Sequence, residues 1–208
     1  MIRNILLACG ILSSLFYITI NILVPPLFEG YSSGSQTVSE LSAIDAPTRP
    51  IWVLLASIYV ILFGAFGFGI TRSGLGNQHL RTTGVLIIIY AIFNIYWPPM
   101  HLRGIEPTLT DTMHIAWAGI TIFLMLLIMG FGAAALNRRF RIYTIITFAL
   151  LILFGILVAI KSPNIPKNLP TPNIGVQERI LIAAFMLWII VFSISLLRRK
   201  QRVLFFVD

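Results

Sequence analysis

Six long apolar runs, at roughly residues 5–27, 51–71, 82–97, 112–136, 142–160 and 176–197, constrain this chain more than anything else in it. A helix needs about 20 residues to cross the hydrocarbon core of a bilayer. Each run has to be helical, because lipid offers no partners for free backbone N–H and C=O groups. The third run is short and stops before Pro98-Pro99, so it is expected to end early or to lie tilted. Composition closes the argument: 58% of the 208 residues are hydrophobic and 11% are charged, with a mean hydropathy of +0.93. A soluble domain of this size cannot hide that much apolar surface. The expected fold is all-α: a polytopic integral membrane bundle of six transmembrane helices, one domain over residues 1–208.

The first run follows Arg3 and ends at Val24-Pro25-Pro26 without a small-residue cleavage pattern. It therefore reads as an uncleaved first span rather than a signal peptide. Cys9 stands alone inside that run, so no intrachain disulfide forms, and the thiol reads as a small hydrophobe.

Six spans put both termini on one side. With the N-terminus cytoplasmic, the inner segments hold Arg3, Arg72, Arg81, Arg138, Arg139, Arg141, Arg198, Arg199, Lys200 and Arg202. The outer segments hold Arg49, Arg103, Lys161, Lys167 and Arg179. Ten against five is a positive-inside bias, so the expected location is the cell membrane with both termini cytoplasmic. A net charge of +8 would suit nucleic acid, but basic residues placed between apolar runs report orientation, and no nucleic-acid partner is expected. The inner clusters around Arg138 and Arg198 suit anionic lipid headgroups, which makes membrane lipids the expected partners. The acids are more lopsided still. Glu29, Glu40, Asp45, Glu106, Asp111 and Glu178 fall outside and Asp208 alone inside. Acids contribute little to topology, so this asymmetry needs another cause.

Inner connections are short, and the three outer loops are long and polar, a length that over a compact bundle points to function or disorder. Small residues four apart, Ala65 with Gly69 and Gly130 with Ala134, mark expected close helix contacts. Trp52 and Trp97 fall at the outer boundary, where indole rings favour the interface.

The outer polar residues carry whatever chemistry the chain has. Asp111 and His114 are three apart on one helical face, and His101 lies ten residues earlier. Two histidines and a carboxylate make a candidate divalent-metal set, with open positions for water or substrate. Each acid also has a structural reading. Thr108 with Asp111 and Thr37 with Glu40 have capping-box spacing, and Glu178 lies near the start of the sixth helix. His114 sits a turn deeper, where polar side chains usually face the bundle interior. Arg49, Arg103 and Arg179 are suited to bidentate binding of carboxylate or phosphate. Together, Glu40, Arg49, His101, Arg103, Asp111, His114, Glu178 and Arg179 form a candidate outward pocket above an apolar bundle. Such a pocket fits an amphiphilic small molecule, head at the loops and tail between helices. The competing reading is a set of interfacial ion pairs that tie the loops down, each worth little alone.

The stretches "SQTVSELSAIDAPTRP", "WPPMHLRG" followed by "TDTMH", and "GVQERI" resemble the prokaryotic membrane family called domain of unknown function 998. The resemblance runs through all six spans. It rests on Ser39-Glu40-Leu41, on Asp111 with His114, and on Glu178-Arg179. It implies a six-span integral membrane protein and favours one outer site over three unrelated caps. No reaction, substrate or residue role comes with it.

No ionisable residue lies near the middle of a span, which disfavours a proton-coupled transporter. Only His114 lies within a span, which argues against a haem with paired axial ligands. Three functions are left to weigh. A non-catalytic protein binding a lipid or other amphiphile, as sensor or accessory subunit, is favoured. A membrane-embedded metal-dependent hydrolase, with His101, Asp111 and His114 on the metal and Glu40 or Glu178 as base, comes second. A small transporter comes third.

Overall fold

The structure, a computed structural model, describes residues 1–74 and 76–198. Among these are six α-helices: α1 (Ile2–Leu23), α2 (Arg49–Ser73), α3 (Gln78–Phe93), α4 (Leu109–Ala134), α5 (Arg138–Lys161) and α6 (Ile174–Arg198). No strand occurs among the described residues. Arg199, Lys200, Arg202 and Asp208, counted above in the inner segments, lie outside them.

Local chemistry sets the boundaries. α1 stops at Leu23, just before Pro25 and Pro26, which lack the amide a continuing helix requires. α2 opens on Arg49-Pro50, where proline's missing donor costs nothing. Asn77 and Asn137 cap α3 and α5, each accepting from the amide three residues on at 3.0 Å. Five helices are long and apolar enough to cross a membrane, and α3 is a shorter apolar one. Its 16 residues span about 24 Å, so the third run ends early: Asn94 caps it, and residues 94–97 leave the helix.

Around the bundle the packing order is α4, α3, α2, α1, α6, α5. The ring closes poorly. α5 packs well on α6 but only sparsely on α4, although Ala135–Asn137 joins α4 and α5 directly. A column of rings fills the centre: Tyr59, Phe63 and Phe66 of α2, Tyr90 of α3, and Phe185, Trp188 and Phe192 of α6. In lipid such contacts stabilise through dispersion and fit rather than expulsion of water. Gly69 meets its expectation, since a Cβ there would sit 2.6 Å from Leu6 Cβ. Gly130 does not: among the described residues, its own turn of helix aside, nothing lies within 4 Å of a Cβ placed on it. Trp52 also departs from the expected interfacial role: it is buried, edge-on to Tyr17 at 6.1 Å.

All three long connections gather at one end of the bundle, where the first (residues 24–48) is gripped by the other two. Ile44 N–H donates to Met100 O at 2.8 Å, Thr171 Oγ1 to Ser35 O at 2.7 Å, and Gly175 N–H to Gly34 O at 3.1 Å.

Candidate functional site

Glu40 sits on a short 3₁₀ helix, Val38–Ser42, in the first loop. The capping box anticipated with Thr37 forms: Glu40 Oε2 accepts from Thr37 N at 2.7 Å and from Thr37 Oγ1 at 3.0 Å. The same carboxylate, wholly buried, takes a two-pronged grip from Arg103, Nε to Oε1 at 2.6 Å and Nη2 to Oε2 at 3.0 Å. Arg103 Nη2 also reaches Ser35 O at 2.8 Å. Capping and ion pairing are thus two uses of one group, and the pair is structural: each charge is consumed by the other.

Asp111 behaves alike. It closes the capping box of α4 with Thr108. It also accepts His101 N–H on Oδ1 and His101 Nδ1 on Oδ2, both at 2.8 Å. This leaves His101 Nε2 as the free ring nitrogen. No hydroxyl or thiol is hydrogen-bonded to it among the described residues, so no nucleophile completes the dyad.

His114 is separate. It is buried, and its Nδ1 lies 2.7 Å from Pro98 O and 3.1 Å from Trp97 Nε1. One nitrogen cannot donate to the carbonyl and accept from the indole together. The shorter contact, to an obligate acceptor, assigns the proton to Nδ1. His114 therefore ties α4 to the residues that follow α3. The metal set His101, Asp111 and His114 does not converge: among the described residues no three His, Cys, Asp or Glu side chains are grouped to hold an ion.

Glu178 caps, but not its own helix. Its Oε2 accepts the amide of Val38 in the first turn of the 3₁₀ helix. Arg179 clamps the same loop from beneath. Its Nη1 donates to Ser33 O at 3.0 Å and Gly175 O at 3.1 Å, and its Nη2 to Tyr31 hydroxyl at 2.9 Å. Tyr31 in turn donates to Thr37 O at 2.6 Å. Burial pushes the Tyr31 phenol up to about 12, with the Arg179 hydrogen bond opposing. α6 can approach the loop this closely because residue 175 is glycine: a Cβ there would strike the Gln36 and Ser33 carbonyl oxygens.

Beneath the knitted loops lies a cavity of ≈ 340 Å³. Arg49, Glu178, Ser39 and Ser42 line its polar part, and residues such as Val60, Ile122, Met125 and Met186 its apolar part. Gly155 and Val158 of α5 and Ala118 and Thr121 of α4 all line it, so it adjoins the poorly closed side of the ring. Of the eight candidates, Arg49 and Glu178 line this cavity. Glu40 with Arg103, and His101 with Asp111, fasten loops. Arg179 holds the first loop, and His114 anchors the segment after α3.

One wall residue carries a signal that the charged motifs did not. Thr83, Thr144 and Thr147 return their hydroxyls to the carbonyl four residues back. Thr121, equally buried, does not, and its Oγ1 has no hydrogen-bond partner. The buried Tyr59 hydroxyl, by contrast, has the Tyr90 hydroxyl as its hydrogen-bond neighbour. Orphaned buried polar atoms are rare and call for an explanation. Polar side chains inside apolar runs are visible in a sequence; which of them share a wall is not.

No curated protein and no solved structure matches the chain. One family description does, "Protein of unknown function (DUF998)", over residues 9–195. That match takes in the larger part of α1, nearly the whole of α6 and everything between them. The chain belongs to the DUF998 family, as a polytopic helical membrane protein.

Proposed function

We propose that this protein binds a lipid or other amphiphilic small molecule in the cavity beneath its loops, in a sensing or accessory role. The observation that carries the reading is the composition of the wall. Charged and hydroxyl groups line one part, apolar side chains the rest, and the buried Thr121 hydroxyl lacks a partner. Ligand sites are mostly apolar with a few placed polar groups, and a ligand oxygen would complete Thr121. The weak α4–α5 seam supports entry of a tail sideways from the bilayer. A metal-dependent hydrolase is less well supported, because His101 and Asp111 are engaged with each other while His114 turns to the Pro98 carbonyl.

In this reading the loop-rich end faces outward and both termini face the cytoplasm, following the ten-to-five distribution of basic residues. A cysteine placed at the exposed Ser32 would then react with an impermeant thiol reagent added to intact cells.

Mass spectrometry of the protein released intact from a mild nonionic detergent tests the binding. The expected result is a retained lipid-sized mass that is lost in Met125→Trp, which fills the cavity. Identical spectra for the two proteins would sink the proposal.

A further inference from the structure

Arg49 and Glu178 bring opposite charges to the same cavity without meeting. Neither forms an ion pair with the other among the described residues, where the ion pairs are His101–Asp111 and Arg103–Glu40. The spacer between them is the 3₁₀ helix Val38–Ser42. Glu178 takes the amide at its first residue, and Arg49 Nη1 donates to the carbonyl of its last, Ser42, at 2.7 Å. Four residues of 3₁₀ helix advance about 8 Å, so the two backbone groups that hold Glu178 and Arg49 lie roughly that far apart along the turn. Ser39 and Ser42, both on that turn, line the cavity between them.

This spacing is informative because opposite charges partly out of water attract strongly unless something holds them apart. Here each is fixed by a backbone group of the same turn. Each keeps unused capacity: the Arg49 fork has one backbone partner of its five donors, and the Glu178 carboxylate, which meets the Val38 amide and the Ser39 hydroxyl and feels the Arg179 charge nearby, has no cation within ion-pair distance. A ligand bearing only an anion would satisfy Arg49 and face repulsion from Glu178. A ligand bearing only a cation would do the reverse. Aromatic rings of Tyr17, Trp52 and Trp97 complete the surroundings, and ring faces favour a cation.

We infer that the ligand is a zwitterionic amphiphile, whose ammonium is received by Glu178 and whose phosphate or carboxylate is received by Arg49. The inference rests on the amphiphile reading above and adds the chemistry of the head.

The test uses the full-length protein in a nonionic detergent, with phosphatidylethanolamine and phosphatidylglycerol of identical acyl chains as probes, offered singly over a concentration series. Occupancy is read by intact-complex mass spectrometry. The wild type is expected to prefer the zwitterion by about tenfold, the worth of one charge-assisted hydrogen bond. Glu178→Gln keeps an oxygen for the Val38 amide, so the turn stays capped; its expected effect is loss of the preference with phosphatidylglycerol binding retained. Arg49→Gln is expected to weaken both lipids. Equal wild-type binding of the two lipids, or an undiminished preference in Glu178→Gln, would overturn the zwitterion while leaving amphiphile binding intact. No saturable binding of either lipid, with Met125→Trp behaving as wild type, would overturn both. Helical circular dichroism of each variant excludes unfolding as the cause of a loss.

Discussion

Arg103 closes on a carboxylate 63 residues behind it, placing Nε 2.6 Å from Glu40 Oε1 and Nη2 3.0 Å from Oε2. The carboxylate is wholly inaccessible, so the pair binds the second long loop to the first. Breaking a buried pair from one side leaves an uncompensated charge, at a cost of about 3–5 kcal/mol. Arg103→Met is expected to lower the thermal midpoint in detergent strongly. The double variant Arg103→Met/Glu40→Gln is expected to recover part of the loss. A single variant as stable as wild type would show that the pair carries no weight.

Gly175 is a point where only hydrogen fits. Gly175→Ala would push a methyl group into the Gln36 and Ser33 carbonyl oxygens, both backbone and unable to rotate aside. Overpacking of this kind costs about 1–3 kcal/mol. Faster protease cleavage within residues 28–37 is the expected signature, with helix content unchanged. Protection equal to wild type would argue against so close an approach of α6.

Alkaline pH should loosen the same loop. The Tyr31 phenol titrates at about 12 when folded, against an ordinary value of 10.0. A raised pKa contributes stability that is fully present below about 10 and lost as pH rises through about 12. Proteolysis of the first loop is therefore expected to accelerate across that window in the wild type. In Tyr31→Phe the acceleration should be smaller and the loop looser already at neutral pH, since the bonds to Thr37 and Arg179 are gone. Identical pH profiles for the two proteins would remove Tyr31 from the account.

Metal analysis separates the two leading functions. With His114 directed to Pro98 and His101 to Asp111, purification without chelators is expected to yield no stoichiometric metal, and His114→Ala no change in metal content. About one ion per chain, lost in both His114→Ala and Asp111→Ala without unfolding, would restore the hydrolase.

The six helices were legible because hydropathy and length are properties of contiguous residues. So were the capping boxes at Thr37–Glu40 and Thr108–Asp111, whose partners lie three apart. What could not be read were the second partners. Glu178 reaches Val38 across 140 residues, and Arg179 reaches Tyr31 across 148. The cavity was hidden for a related reason. Its apolar lining, from α2, α4 and α6 among others, has the same composition as the residues that face lipid. Only packing tells the two apart. Three of the six outer acids find their cause here: Glu40, Asp111 and Glu178 satisfy backbone amides at the starts of helical turns and fasten the long loops.

The seam between α1 and α6 bears on how the molecule is made. Ser193 donates to Leu7 O at 2.6 Å and Arg3 Nη2 to Leu196 O at 3.0 Å, so helices at opposite ends of the chain are direct neighbours. During synthesis the first helix reaches the bilayer long before its neighbour exists. The Leu7 carbonyl has its Ser193 partner only once α6 is made. Closure of the α1–α6 seam therefore comes after α1 to α5 have been synthesised, and a chain stalled before Ile174 would hold those five helices as an open arc.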